Sequence, residues 1–316
     1  MNRLIALVKR EYWENKGAFR TTPIVIAGVY LAGMLMAAIT TVYFDNNFNT
    51  LKDAIRFMAA QEAGLRSAII FQGTLSSAGL FTTALGFVVF FYLLGSLYDD
   101  RKDRSILFWK SLPASDTLTI ASKLLTAALV VPLIFWLVFV ATLIIIGLAA
   151  SLTVLVLGEN PWILFTGITQ PLKASALLLA SYLAQSIWAL PLYGWLMLVS
   201  AFAPRIPLLF ATLPPLVIAV LQVWIDFLKT FTLQENLFGV IGRWVGNSPL
   251  ILSLRSAGER GVEPALGFPN DGPFDHAVTL GNMADRLFSY PMFLGIVLAA
   301  TFLSGALYLR HRATDN

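Results

Sequence analysis

The sequence predicts an all-α polytopic membrane protein with six transmembrane helices. Apolar residues make up 57% of its 316 residues, whereas soluble domains typically contain about 45–50%. The mean hydropathy is +0.74, and several uncharged runs reach the length of about 20 residues that a helix needs to cross a bilayer. The chain contains no cysteine, which excludes disulfides, thiol catalysis and thiolate metal sites.

Residues 1–20 are predicted to form an amphipathic helix at the membrane surface. The apolar side of a helical wheel carries Leu4, Val8 and Tyr12, and the polar side carries Arg10 and Glu11. The polar side would face water while the apolar side contacts the membrane. A second interpretation, a positively charged flank that only fixes the orientation of the chain, is compatible with the first.

Six apolar stretches are predicted to be the spans of a single transmembrane domain, residues 21–316. They cover about 22–43, 78–98, 123–148, 174–203, 208–225 and 288–309. The uncharged run that begins near Lys123 is longer than one bilayer crossing. This helix is therefore expected either to project beyond the membrane or to break near Gly147–Ser151, and Pro132 is expected to kink it.

Three connections are predicted to be external loops. They are 44–76, 149–173 and 226–287. From Leu51 the sequence has an amphipathic helical pattern with balanced charge, so an external helix is expected there and not a span. The connection 226–287 is long for a simple loop. Its apolar pieces, Leu237–Val245 and Pro249–Leu254, are too short to cross a bilayer and are predicted to form re-entrant or surface helices before the last span.

A polar segment, residues 99–118, separates the second and third spans. Seven of the sixteen residues from Tyr98 to Pro113 are charged. Because unpaired charges are unstable in hydrocarbon, the segment is expected to lie in water at a membrane face. It also contains Phe108 and Trp109, and aromatic side chains often dominate the energy of protein interfaces. We interpret the segment as a docking element for another protein; the alternative is a solvated loop that only enforces topology.

The distribution of basic residues predicts the orientation. The N-terminal segment, Arg101–Lys123, Arg205 and Arg310–Arg312 fall on one side of the membrane if there are six spans. The positive-inside rule places this side, and with it both termini, in the cytoplasm. The net charge of +4 is small and no Lys/Arg-rich run occurs, so nucleic-acid binding is not expected.

Familiar catalytic motifs are absent from the sequence. It contains no Gly-x-x-x-x-Gly-Lys-Ser/Thr run, so no P-loop for ATP is expected, and we predict neither catalytic nor metal-binding residues. The few polar residues at membrane depth are Gln185, Gln222 and Asp226. The two glutamines are interpreted either as helix–helix hydrogen bonds or as substrate contacts on a pathway, and Asp226 is a further possible pathway residue. The scarcity of buried ionisable groups disfavours an ion-coupled carrier.

The run Leu97–Asp116, followed by Ser122-Lys123-Leu124-Leu125, resembles the cytoplasmic loop of ABC-2 type ABC transporter permeases. Val8–Lys16 resembles the amphipathic interface helix of that family. The resemblance implies a permease subunit without enzymatic activity of its own. It also implies a homodimer of this chain that binds two copies of a separate ABC ATPase, which hold ATP and Mg.

The resemblance also implies two sets of site residues. The ATPase-coupling residues would be Asp100, Arg101, Lys102, Asp103, Arg104, Phe108, Trp109 and Lys110. The interface helix would use Leu4, Val8, Arg10, Glu11 and Tyr12.

The leading hypothesis is the transmembrane subunit of an ATP-driven exporter in the bacterial cytoplasmic (inner) membrane, in contact with membrane lipids. Uncharged spans with many aromatic residues favour a lipidic, amphiphilic or small hydrophobic substrate. The alternative is an ATPase-coupled membrane scaffold or signalling subunit that moves an external partner without conducting cargo. The long connection 226–287 is the feature that keeps this alternative open.

Overall fold

The computed structural model describes residues 2–44, 53, 55–57, 60–103, 115–156, 169–227, 237–250 and 280–312. These residues are almost entirely helical, and no strand occurs among them. In chain order the α-helices are α1 (Asn2–Glu14), α2 (Thr22–Phe44), α3 (Ala63–Ser77), α4 (Gly79–Ser96), α5 (Tyr98–Lys102), α6 (Asp116–Leu125), α7 (Val131–Val156), α8 (Thr169–Trp188), α9 (Leu190–Phe202), α10 (Pro207–Phe227), α11 (Leu237–Gly246), α12 (Leu280–Leu287) and α13 (Tyr290–Arg312).

Within this described part, five helical stretches are long and apolar enough to cross a membrane. They are Gly17–Thr40, Gly64–Lys102, Asp116–Val156, Pro207–Ile225 and Tyr290–Arg312. A sixth is added if the bent pair α8–α9 is counted as one span. This is the architecture of a multi-pass helical membrane protein.

The second of these stretches begins earlier than the sequence predicts. Helix continues from Gly64 to Lys102, with single-residue turns at Ala78 and Leu97. The sequence predicts a separate external helix from Leu51 within the connection 44–76, and not a helix continuous with the second span. A helix of 39 residues is about 58 Å long, roughly twice the thickness of the hydrocarbon core. Its first part, α3, packs against α8, so its amphipathic pattern reflects contact with another helix and not with a membrane surface.

The third stretch runs from Asp116 to Val156 without a break. One π-helical turn, Thr126–Val130, lies directly before Pro132. Proline has no N–H and its ring collides with the carbonyl four residues earlier, and the wider turn accommodates both effects. The break considered at Gly147–Ser151 does not occur, which leaves the other expectation, a helix that projects beyond the membrane.

The fourth predicted span, 174–203, is divided into two helices that differ in direction by 54°. The division falls at Ala189, and Pro191 lies in the first turn of the second helix. Because proline cannot donate a hydrogen bond to the preceding turn, a straight helix cannot continue through this position. The bend is not among the features predicted from the sequence.

The last third of the chain agrees with the predicted layout. Helix α10 follows a non-helical turn at 203–206 and covers the predicted fifth span. Helix α11 matches the short apolar piece predicted at Leu237–Val245, whereas α12 was not predicted. Helix α13 covers all but the first two residues of the predicted last span.

The core lies where α4, α7, α8, α9 and α13 meet. The rings of Phe81 and Phe139 pack edge to face, with centroids 5.4 Å apart. Helix α9 packs closely on α13, where a Cβ on Gly194 would lie 3.1 Å from the carbonyl oxygen of Ala299. Small residues at such crossings let membrane helices approach closely. Helices α2 and α10 bury little of their apolar surface, as expected for helices in contact with lipid.

Candidate functional site: a buried charge cluster

Charged side chains from four helices meet in the protein interior. We call this group the buried charge cluster; it consists of Arg10 and Glu11 (α1), Asp100 (α5), Asp116 and Lys123 (α6) and Arg310 (α13). Glu11, Lys123 and Arg310 are 1%, 2% and 3% exposed. Buried charges persist when they are paired, and the cluster contains three carboxylates and three cations.

Lys123 of α6 joins α1 to α5. Its Nζ lies 3.1 Å from Oε1 of Glu11 and 3.6 Å from Oδ2 of Asp100. The Tyr92 hydroxyl donates a hydrogen bond of 2.9 Å to Oε2 of Glu11, and Nη2 of Arg10 lies 2.7 Å from Oε1. Glu11 thus has two cations and a hydroxyl as partners, which compensates for its removal from water.

Arg310 bridges two carboxylates that lie on either side of segment 104–114. Its Nη1 is 3.1 Å from Oδ2 of Asp100, and its Nε is 3.0 Å from Oδ1 of Asp116. His311 Nδ1 lies 3.4 Å from the other oxygen of Asp116. The planar guanidinium group suits such paired contacts better than an ammonium group would. One side chain therefore joins α5, which precedes residue 104, to α6, which follows residue 114.

Local sequence features place these groups. The Ser115 side chain caps α6 by accepting a hydrogen bond from the Leu118 amide (3.3 Å), and serine is one of the residues preferred at this position. Asp116 lies in the first turn of α6, where the helix dipole favours a negative charge. Lys123 follows about two turns later, on the same side of the helix. Arg310 lies in the last turn of α13, where a positive charge is favoured.

Helix α5 is also fastened to α9. Arg101 donates hydrogen bonds to the backbone oxygens of Ser200 (2.9 Å) and Ala203 (2.8 Å). The Ser200 hydroxyl oxygen accepts from the backbone amides of Leu97 and Tyr98, both at 2.9 Å. The two bonds from Arg101 satisfy carbonyl groups that the end of α9 leaves without partners in the helix.

Glu14 lies at the rim of the cluster. Its side chain is 47% exposed, and its Oε1 lies 3.2 Å from Nε of Arg10. Partial burial raises the pKa of the Glu14 carboxyl above its usual value, and the positive charge of Arg10 opposes this effect. Burial outweighs the ion pair at this position.

The structure separates the predicted ATPase-coupling residues into groups. Asp100 and Arg101 are engaged within the protein and hold the base of the polar segment, whereas Lys102 and Asp103 are exposed. The remaining four lie outside the described residues: Arg104, Phe108, Trp109 and Lys110. Asp100 and Arg101 therefore position the polar segment, and Lys102 and Asp103 are accessible to a partner.

The predicted interface helix exists, but one of its faces differs from the prediction. Glu11, which the helical wheel assigns to the water-facing side with Arg10, is the most buried of its described residues, because α1 packs against α6. Leu4, Val8 and Tyr12 are half-buried. A helical wheel classifies a carboxylate as polar and does not identify a lysine on another helix that pairs with it.

Both predicted pathway glutamines bind backbone amides. Oε1 of Gln185 accepts from Leu250 (3.3 Å) and Oε1 of Gln222 accepts from Leu237 (2.6 Å). These bonds hold the segment around α11 against the membrane helices. Asp226 lies in α10, and its side chain is outside the described part of the protein.

Lys123, Arg310, Asp116 and Tyr92 were not among the predicted site residues. The signal in the sequence is that Lys123 and Arg310 each lie at one end of an apolar helix, where an unpaired cation is costly to bury. Among the residues that the structure covers, no group of three or more His, Cys, Asp or Glu side chains is arranged to hold a metal ion. No family model, curated protein or solved structure matches this chain.

Proposed function

We propose that this protein is the transmembrane permease subunit of an ABC transporter. A separate ATPase would dock on the polar segment, residues 99–118, and drive export of a lipidic, amphiphilic or small hydrophobic substrate. The proposal rests on the resemblance of residues 97–125 to ABC-2 type permeases. The sequence has no P-loop of its own, so ATP and Mg would be held by two ATPase copies bound to a pair of permease subunits.

The observation that carries the proposal is that Arg310 joins Asp100 and Asp116, which both belong to the polar segment 99–118. The bonds to Asp100 and Asp116 are 3.1 Å and 3.0 Å long. A force applied to the segment by a docked protein would pass through these bonds into α13. Through Lys123 and Glu11 it would also reach α1. Stiff, buried ion pairs suit such transmission, because the packed parts of a protein have discrete arrangements and do not deform continuously.

Contacts among the basic segments support a common cytoplasmic face. Glu11 pairs with Lys123, Arg310 pairs with Asp100, and the Tyr98 hydroxyl donates to the backbone oxygen of Arg205 at 2.6 Å. The four segments rich in positive charge therefore lie together. Under the positive-inside rule this common end faces the cytoplasm, with six spans if α8 and α9 form one span.

Copurification tests the proposal directly. The tagged chain is isolated from membranes of its source organism in a mild detergent, and the associated proteins are identified by mass spectrometry. We expect a P-loop ATPase in about equal amount to the permease. The double variant R104A/W109A is expected to lose at least tenfold of it, whereas R205A, which removes an exposed arginine at the same end, keeps it. Unchanged ATPase association in R104A/W109A would contradict the proposal.

Reconstitution tests the transport role. ATP hydrolysis by the purified complex is measured in liposomes with and without added lipids or small hydrophobic compounds. Stimulation by such a compound supports export. An ATPase rate that no compound alters would instead support the scaffold or signalling role.

A further inference from the structure

A cavity of about 160 Å³ lies beside the bend of the fourth span. Helices α4, α8 and α9 form most of its wall, and its lining includes Gly86, Phe90, Tyr182, Gln185, Tyr193 and Leu250. Pro132, in the first turn of α7 just after the π-helical turn, also lines the cavity. An apolar cavity of about 150 Å³ is large enough for one benzene molecule. The space therefore accommodates a small ring or a short branched chain.

The composition of the lining limits the chemistry of a ligand. The described residues that line it include no Asp, Glu, Lys, Arg or His, so a charged ligand would find no partner among them to offset its loss of water. Most lining groups are apolar, and the polar ones are hydroxyl groups and one amide. Sites with an apolar wall and a few placed polar groups are typical for small uncharged molecules.

Gln185 is the polar group best placed to recognise a ligand. Its Oε1 is occupied by the backbone amide of Leu250, which fixes the orientation of the side chain. Within the described residues its NH₂ group donates no hydrogen bond. An amide NH₂ group that lines a cavity favours a ligand with an oxygen acceptor.

The cavity opens towards the lipid-facing surface. Gly86 is exposed on α4, and a Cβ added there would meet no heavy atom within 4 Å. Leu192, on the opposite wall, is 48% exposed. Gly86 lies in the middle of α4 and Leu192 lies just after the bend, near the middle of the fourth span if α8 and α9 form one span. A ligand would therefore enter from the membrane and not from water.

We propose that this cavity binds a small uncharged amphiphile. Its apolar part fills the space between α4, α8 and α9, and one oxygen atom accepts a hydrogen bond from the NH₂ group of Gln185. The oxygen could belong to an ester of a membrane lipid or to a free alcohol, ether or ketone. The site requires neither nucleotide nor a partner subunit, so it does not depend on the proposed ATPase coupling.

Binding of 4-fluorobenzyl alcohol to the purified full-length chain tests this proposal. Fluorine NMR in detergent measures binding above partition into protein-free micelles. G86L places a side chain in the mouth of the cavity without a backbone clash and is expected to weaken binding at least tenfold. G147L makes the same change at an exposed glycine on α7 with similarly open surroundings and is expected to bind as the wild type does.

A second variant tests the role of Gln185. The wild type is expected to prefer 4-fluorobenzyl alcohol over 4-fluorotoluene about fivefold, as one hydrogen bond of about 1 kcal/mol allows. Q185L is expected to lose this preference while it still binds 4-fluorotoluene, which also reports that the cavity is intact. Wild-type binding in G86L, or an unchanged preference in Q185L, would overturn the proposal.

Lipid nanodiscs distinguish the two sources of ligand. If binding of the alcohol is seen in detergent and disappears when phospholipid is added, a membrane lipid ester is the natural occupant. If binding persists in nanodiscs, the natural occupant is a free amphiphile. Both results support the same chemistry at Gln185.

Discussion

Two regions of the protein are held together by different chemistry. The buried charge cluster joins four helices through ion pairs. The region around α11 is held by side chains that bond to backbone groups: Gln222 accepts from the Leu237 amide at 2.6 Å, the Trp188 indole donates to the backbone oxygen of Trp244 at 3.0 Å, and the buried Arg286 donates to the backbone oxygen of Asn247 at 2.7 Å. The two regions lie at opposite ends of α10, a helix about 30 Å long. Arg205, just before α10, accepts from Tyr98 of α5, and Gln222, near the end of α10, binds Leu237 of α11.

The difference predicts how each region responds to change. Removing one member of a buried ion pair leaves an uncompensated charge and costs several times more than a lost neutral hydrogen bond. The charge cluster should therefore behave as one unit that is either intact or broken. Contacts around α11 should weaken by smaller steps, which suits a region that rearranges without unfolding the bundle.

The largest expected effect is that of K123M. The variant removes the cation shared by the buried carboxylates of Glu11 and Asp100, which keep only Arg10 and Arg310 as cationic partners. The change should cost about 3 kcal/mol of the free energy of unfolding, the lower end of the range for a broken buried ion pair. Chemical unfolding in detergent, followed by tryptophan fluorescence, measures the loss. The matched control is K102M, which changes an exposed lysine and should alter stability by less than about 0.5 kcal/mol.

A double-mutant cycle sharpens this result. Glu11→Gln removes the negative charge that K123M strands, so the double variant E11Q/K123M should be more stable than the sum of the two single changes indicates. If the two changes add without coupling, or if K123M costs no more than K102M, then the cluster does not act as one unit.

G295A should have an intermediate effect, confined to the region around α11. An added Cβ would lie 2.6 Å from Cη2 of Trp244 and 3.1 Å from Cγ of Pro191. The Trp244 ring stacks on Trp188 with centroids 4.6 Å apart, so it has little room to move. Overpacking of this kind costs about 1–3 kcal/mol, and the same unfolding measurement detects it.

G147A serves as the control for this variant. It introduces the same methyl group where no heavy atom lies within 4 Å, so stability should stay the same or rise by up to about 1 kcal/mol from helix propensity. Equal stability of the two variants would show that the contact between α13 and Trp244 is loose, and the contrast between the two regions would lose its structural basis.

Much of the fold follows from the sequence because the bilayer imposes strong rules on length and polarity. Apolar runs identify the membrane helices, and Ser115 identifies the start of α6. The bend at Ala189 and the π-helical turn before Pro132 do not follow. Proline indicates where a helix is disturbed, but packing against neighbouring helices decides whether it bends, widens or breaks.

The candidate site is only partly predictable for a similar reason. The polar segment after the second span is evident from its charges, and so is the demand that they be satisfied. Which charges pair is a tertiary property: Glu11 and Lys123 are 112 residues apart in sequence. A single sequence contains no periodic signal for such a contact. Glu11 was therefore assigned to the solvent face, and Arg310 was interpreted only as part of a basic tail.

The smallest expected effect concerns the boundary of the charge cluster. Glu14 lies about one helical turn from Glu11 and also contacts Arg10. Because burial raises its pKa in the folded protein above the usual 4.5, the folded chain holds this proton more tightly than the unfolded chain does. The Glu14 carboxyl therefore contributes to the free energy of unfolding below its usual pKa. This contribution is lost as the pH rises through the higher pKa of the folded protein. At neutral pH, E14Q should stabilise the protein slightly, by no more than about 0.5 kcal/mol for a side chain so exposed to screening solvent.

The unfolding midpoints of E14Q and the wild type, compared at neutral pH and below the usual carboxyl pKa, test this expectation. The small gain of E14Q should disappear at the lower pH, where the Glu14 carboxyl is protonated in both the folded and the unfolded chain. E11Q provides the contrast. It removes the negative charge with which Lys123 and Arg10 pair, so it should destabilise the protein at neutral pH. If E14Q is instead less stable than the wild type at neutral pH, the ion pair with Arg10 outweighs burial. The charge cluster would then extend outwards to Glu14, and its boundary with solvent would lie one helical turn further along α1.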